Sequence, residues 1–101
     1  MSETAHSIEA AGDRWIISGA LTMDSAAAVL ARSREMSLPP SGIVDLVQLD
    51  AVDSAGVAVL LAWQRRGAVE GKPLSFAHIP PTLTSLAALY DVEDVLQKAT
   101  T

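Results

Sequence analysis

Ile43-Val44-Asp45-Leu46-Val47-Gln48-Leu49-Asp50-Ala51-Val52-Asp53-Ser54-Ala55-Gly56-Val57-Ala58-Val59-Leu60-Leu61 is the stretch that decides the fold. It begins as a short apolar run with β-branched residues, which reads as a buried strand. An acidic loop follows, and the chain enters a helix at Asp53-Ser54. The Asp53 carboxylate can accept from the unpaired amides of the first helical turn, and its charge suits the positive end of the helix dipole. Ser54 is then held at the tip of that helix and presented outward, which makes it the expected functional point of the chain.

Upstream of this stretch, His6 to Ala10 alternates weakly and Arg14 to Gly19 has a bulky apolar centre. Gly12-Asp13 between them supplies turn residues, so the two segments predict an N-terminal hairpin. Thr22 to Asp24 offers helix caps, and Ser25 to Met36 is rich in Ala and Leu with basic residues late, as a helix C-terminus favours. Ser37-Leu38-Pro39-Pro40-Ser41-Gly42 stops it. Downstream, the central helix is expected from Ser54 to about Glu70, ended by Gly71-Lys72-Pro73. Leu74 to Ala77 reads as a further strand. Pro80-Pro81 opens another helix whose stripe is Leu83, Leu86, Ala87 and Tyr90. A last helical turn or two is expected over Val92 to Lys98. Strands alternating with helices after a hairpin imply crossovers and a mostly parallel sheet. The expected architecture is α/β: a small four-stranded mixed sheet with helices mainly on one face, in a single domain over residues 1–101.

Composition narrows the function. Half of the 101 residues are hydrophobic, so the chain is long and apolar enough for one folded core and too short for a second. A net charge of -5, with seven scattered basic residues, argues against nucleic acid as a partner and against a membrane-surface patch. Without cysteine there is neither a disulfide framework nor a thiolate metal site. The N-terminus does not read as a signal peptide, and no apolar run approaches the ~20 residues needed to cross a bilayer. The expected location is cytoplasmic, with no direct membrane insertion.

Placing the central helix on a 100° wheel puts Val57, Leu60, Leu61, Gln64 and Ala68 toward the sheet. The other side carries Ala55, Ala58, Val59, Ala62, Arg65 and Arg66, with Trp63 on the border. A solvent-facing helix surface normally carries more charge than this. Either the side is covered by a neighbouring helix of the same chain, or it is a docking surface beside a presented serine. Arg65 and Arg66 are expected to be solvated charges. Asp53 and Ser54 also admit a plain capping role.

Catalytic patterns are missing. The only histidines, His6 and His78, lie in no nucleophile motif, and there is no Gly-x-Ser-x-Gly elbow, phosphate loop or dinucleotide turn. Two histidines without cysteine make a metal site unexpected as well. Asp45 is expected to fix the strand end or the loop by hydrogen bonds. The chain therefore reads as a binding protein, not an enzyme, with no cofactor.

With these residues in hand, the chain resembles the STAS domain family, named for sulfate transporters and anti-sigma factor antagonists. Val44-Asp45-Leu46, followed by Ser54-Ala55-Gly56 leading into Val57-Ala58-Val59-Leu60-Leu61, looks like its signature. The hairpin, Gly19 and the helix from Ser25 fit too, so the resemblance covers nearly the whole chain. It implies a small sheet with helices on one side, and a phosphorylation or partner-contact role for Ser54.

Two branches of the family compete. Leu86-Ala87-Ala88-Leu89-Tyr90-Asp91-Val92-Glu93-Asp94-Val95-Leu96 is similar to the end of the MlaB-like STAS subunits of maintenance-of-lipid-asymmetry ABC transporters. That resemblance implies a cytoplasmic accessory subunit, peripheral to the inner membrane through its partner, that binds the transporter's ATPase subunit and supports phospholipid transport. The implied docking surface comprises Asp53, Ser54, Ala55, Gly56, Ala58, Val59 and Ala62. Leu30 joins it from the preceding helix, at a position that carries an aromatic in that branch. The other branch is the anti-sigma factor antagonist, in which a partner kinase would phosphorylate Ser54 and abolish binding. Asp53-Ser54-Ala55-Gly56 fits that branch at least as well. A homodimer through the same surface is the third option.

Overall fold

The structure, a computed structural model, describes residues 6–92. Five strands and three helices follow in the order β1 (His6–Ala11), β2 (Arg14–Leu21), α1 (Ala26–Arg34), β3 (Ile43–Asp45), β4 (Leu49–Val52), α2 (Ser54–Val69), β5 (Ser75–Ala77) and α3 (Pro81–Leu89). The hairpin is as expected: β1 and β2 run antiparallel with Ala11 opposite Arg14, leaving a two-residue loop. Gly12 takes φ +65° at the first loop position, a conformation cheap only for glycine and suited to the twist of a tight hairpin.

The sheet order is β1-β2-β3-β5, with every pairing after the hairpin parallel. The strand count differs from the expected four, because Leu49–Val52 pairs with Gly19–Leu21 instead of remaining an acidic loop. With β1 on one edge of β2, β3 and β4 share the other, paired with its first and second halves in turn. They act as one interrupted strand, broken at Leu46–Gln48 and accompanied by a register shift at Gly19/Ala20. That break delivers the chain to the start of α2 at the end of β2.

Strand alternation turns Trp15 and Ile17 of β2, Val44 of β3 and Phe76 of β5 to the helical side. Val29 from α1, Leu60 and Trp63 from α2, and Leu83 and Ala87 from α3 meet them there. The two tryptophans pack edge to face with centroids 5.6 Å apart, and both indole N–H groups find acceptors. Trp15 donates to the Ser37 carbonyl (3.1 Å) and Trp63 to Ser33 Oγ (2.9 Å). No fully buried side-chain polar atom among the described residues is left without a partner.

Ser25, expected within α1, sits at its N-cap position, but its hydroxyl does not bond the helix amides. It accepts from the Thr22 amide (3.0 Å) and donates to the Ala20 carbonyl (2.7 Å). The helix amides of Ser25 and Ala26 bond the Thr22 carbonyl instead, so Thr22 caps with its backbone and not its side chain. Pro81 opens α3 at its first position, where a missing N–H costs nothing. The last expected helical segment, Val92 to Lys98, lies outside the described residues apart from Val92, whose amide donates to the Ala87 carbonyl.

Candidate partner-docking site

Asp53 fixes the geometry of the site. Its backbone is extended, and its Oδ1 accepts from the Ala55 amide at 2.8 Å, closing the N-terminus of α2 as expected. The same carboxylate accepts a second bond, at Oδ2 from the Met23 amide at 3.0 Å, across 30 residues of chain. Its own amide donates to the Leu21 carbonyl at 3.4 Å. Asp53 therefore joins three segments: the end of β2, the turn into α1 and the first turn of α2. The Met23 amide, ahead of those of Ala55 and Gly56, draws the Asp53 carboxyl below its ordinary pKa. A carboxylate gathering several N–H donors is favoured in its charged form.

Ser54 follows, exposed at the helix tip. Ala58 and Arg65 are exposed beyond it and Ala62 is half-buried on the same line, so Ser54, Ala58 and Ala62 form an outward ridge at four-residue spacing. It continues to Val69, which is 86% exposed. Ala55 is half-buried on the flank of this ridge. Leu30 of α1 is half-buried against the core, so only part of its side chain is available at the surface.

Two residues expected in the docking surface are corrected. Gly56 and Val59 are buried, Val59 at 3% exposure and within the hydrophobic core. At Gly56 an added Cβ would fall 2.5 Å from the Leu21 carbonyl oxygen and 2.5 Å from Val52 Cγ2. Gly56 thus lets the helix tip press against the strand ends that carry it. The buried line of α2 runs Gly56, Leu60, Trp63, Gly67, rotated about a quarter of a turn from the expected one. Leu61 and Gln64 accordingly sit at its margin and Ala68 is exposed.

Arg66, expected to be a solvated charge, is corrected too. Its guanidinium donates to the carbonyls of Ser33 (2.8 Å) and Met36 (2.7 Å) at the end of α1, and to Glu70 (2.7 Å). It also lies 5.9 Å from the Trp15 ring centre. Arg66 therefore locks α1 to α2, a contact between residues about thirty apart that local sequence cannot signal.

On the sheet side away from the helices, Asp45 is 6% exposed and collects three donors. These are Arg14 Nη1 (3.1 Å), His78 Nδ1 (2.9 Å) and the Val47 amide (3.0 Å). Burial works against its ionisation, but the bonds from His78, Val47 and Arg14 together outweigh it and leave the carboxyl below its usual pKa. The expected loop-fixing role is present in the Val47 bond. His78 adopts φ +57°, an uncommon conformation for a non-glycine residue, and the Asp45 bond holds its ring. Among the described residues no three His, Asp or Glu side chains gather as metal ligands, and no helix is long and apolar enough to cross a membrane.

Met23 was not expected in the site. Its side chain is 80% exposed on the turn that Asp53 holds, next to the helix tip. Nothing in the local sequence separates it from a core methionine.

Comparisons with known proteins bear on the family and the fold. The family model described as "Mlab, STAS domain" matches residues 6–98. No curated protein gives a significant match. Among solved structures the chain is similar to the anti-sigma factor antagonist SpoIIAA in its unphosphorylated form, with a TM-score of 0.67 and 16% identity. That similarity covers 95% of this chain and 89% of the other, and at such low identity it speaks to the fold. A fold built on the β2–β3–β5 parallel core, with a capped serine at the head of α2, and a family match over almost the whole length lead to one assignment: this chain belongs to the MlaB-type STAS domain family.

Proposed function

We propose that this chain is a non-enzymatic accessory subunit that docks on the ATPase subunit of an Mla-type phospholipid ABC transporter. The observation that carries the reading is the outward ridge of α2, where small side chains at Ala58 and Ala62 follow an exposed Ser54 on a rigid, capped tip. Small residues let a partner's backbone or helix approach closely, and a pinned tip costs little further ordering on binding. The MlaB-type family match supports the choice of partner. In this reading the protein is cytoplasmic and reaches the inner membrane only through the ATPase, with Asp53, Ser54, Ala55, Ala58, Ala62 and Leu30 at or supporting the interface.

Co-purification with the ATPase subunit tests it. Wild type should form a stable complex, and Ala58→Glu, which places a charge on the ridge without touching the core, should lose it while keeping its thermal midpoint. Absence of a complex, or one indifferent to Ala58→Glu, would overturn the proposal.

One observation favours a second reading, that of a phosphorylation-controlled anti-sigma factor antagonist. Ser54 is exposed and reachable by a kinase, and a phosphate there would add roughly -1.5 to -2 charges beside Asp53. Incubation with candidate serine kinases and mass spectrometry at Ser54 separates the two. A kinase that binds the unmodified chain and releases it after modifying Ser54 would establish the switch.

A further inference from the structure

Met23 is a large apolar side chain left 80% exposed, on a turn whose backbone is hydrogen-bonded at Thr22, Met23 and Ser25. The Thr22 amide donates to Ser25 Oγ, the Thr22 carbonyl accepts from the Ser25 and Ala26 amides, and the Ser25 hydroxyl is anchored on the Ala20 carbonyl. The Met23 amide itself is held by Asp53 Oδ2, one residue from Ser54. Single exposed apolar residues are ordinary on protein surfaces. An exposed one on a pinned turn, tied to the residue that heads the docking helix, is arranged differently. A preorganised side chain loses less entropy on burial, and unbranched, polarisable Met adapts its shape to the surface it meets.

We propose that Met23 is an apolar anchor for the same ATPase subunit and that Asp53 is its positioning residue, setting the turn at a fixed place beside the α2 ridge. This rests on the docking reading given above and extends the surface from one helix to a helix tip plus the β2–α1 turn. Asp53 has two separable jobs: Oδ1 caps α2 through Ala55, and Oδ2 holds Met23. Asp53→Asn leaves a single acceptor oxygen for two N–H donors, so only one of the two bonds survives, and hydrogen exchange at the Ala55 amide shows whether the cap is the one kept.

The test is a double-mutant cycle read as affinity for the purified ATPase subunit, with wild type, Met23→Ala, Asp53→Asn, the double variant, and Ala58→Glu as the control. Met23→Ala should weaken binding roughly ten-fold at an unchanged thermal midpoint. Asp53→Asn should weaken it to a similar degree and speed hydrogen exchange at the Met23 amide. The double variant should bind no worse than Met23→Ala alone. Met23→Ala binding like wild type, or losses that multiply in the double variant, would overturn the proposal while leaving the docking reading intact. Failure of wild type itself to bind would remove both.

Discussion

Asp45 is surrounded by three donors at the end of β3, and its environment makes a pH prediction. Its carboxyl, like that of Asp53, has a lower pKa folded than unfolded. The unfolded chain therefore takes up more protons on acidification. This stabilisation is complete above the ordinary carboxyl pKa of about 4 and is lost as pH falls through the lowered folded values. Asp45→Asn should cost about 1–3 kcal/mol at pH 7, since it weakens the acceptor of three donors at a nearly buried position. The gap to wild type should be smaller at pH 3, below the ordinary carboxyl pKa of about 4, because the unfolded wild type is then largely protonated and the advantage of the lowered folded value is being lost. Urea unfolding at the two pH values checks this, and a gap of equal size at both would contradict it. The cap at Asp53 was legible because it lies one residue ahead of the helix it closes. The contacts to Arg14, His78 and Met23 were not, because strand register and loop placement join residues thirty or so apart without leaving a local pattern.

At the scale of elements, α2 shows where a sequence wheel fails. Glycine contributes little to a hydrophobic pattern, yet Gly56 and Gly67 lie on the line of closest approach. Leaving them out moved the expected buried face toward Gln64 and Ala68 and placed Val59 outside. Gly56→Ala tests the corrected face. In an open helix this change gains up to about 1 kcal/mol. Here the new methyl meets backbone at Leu21, and overpacking costs about 1–3 kcal/mol, so the net effect is destabilising. A fall in the thermal midpoint of several degrees is expected, with about 4–8 °C per kcal/mol for a domain of this size. A midpoint equal to or above that of wild type would contradict the close approach. Strand β4 escaped the sequence for a different reason. Leu49 and Val52, its two half-buried residues, are three apart, so the segment lacks the two-residue alternation that marks a strand. Pairing with β2, not its own pattern, makes it one.

For the molecule as a whole, alternation of strands and helices was enough to give a mixed sheet with helices on one face, the signature around Ser54 gave the STAS family, and the run from Leu86 gave its MlaB type. The choice between transporter subunit and partner switch depends on what presses against the ridge, which no residue of this chain encodes alone. The two readings share one physical claim: the outer side of α2, from Ser54 through Ala58 to Ala62, is the contact face, and the sheet surface around Ile16, Ile43 and Asp45 is not. An amide-resolved NMR titration of the isotopically labelled chain with the unlabelled ATPase subunit measures this directly. Attenuation should concentrate at Met23, Ser54, Ala55, Ala58 and Ala62 while Ile16, Ile43 and Ser75 stay unperturbed. Perturbation centred on those sheet residues, with the α2 ridge silent, would contradict the account.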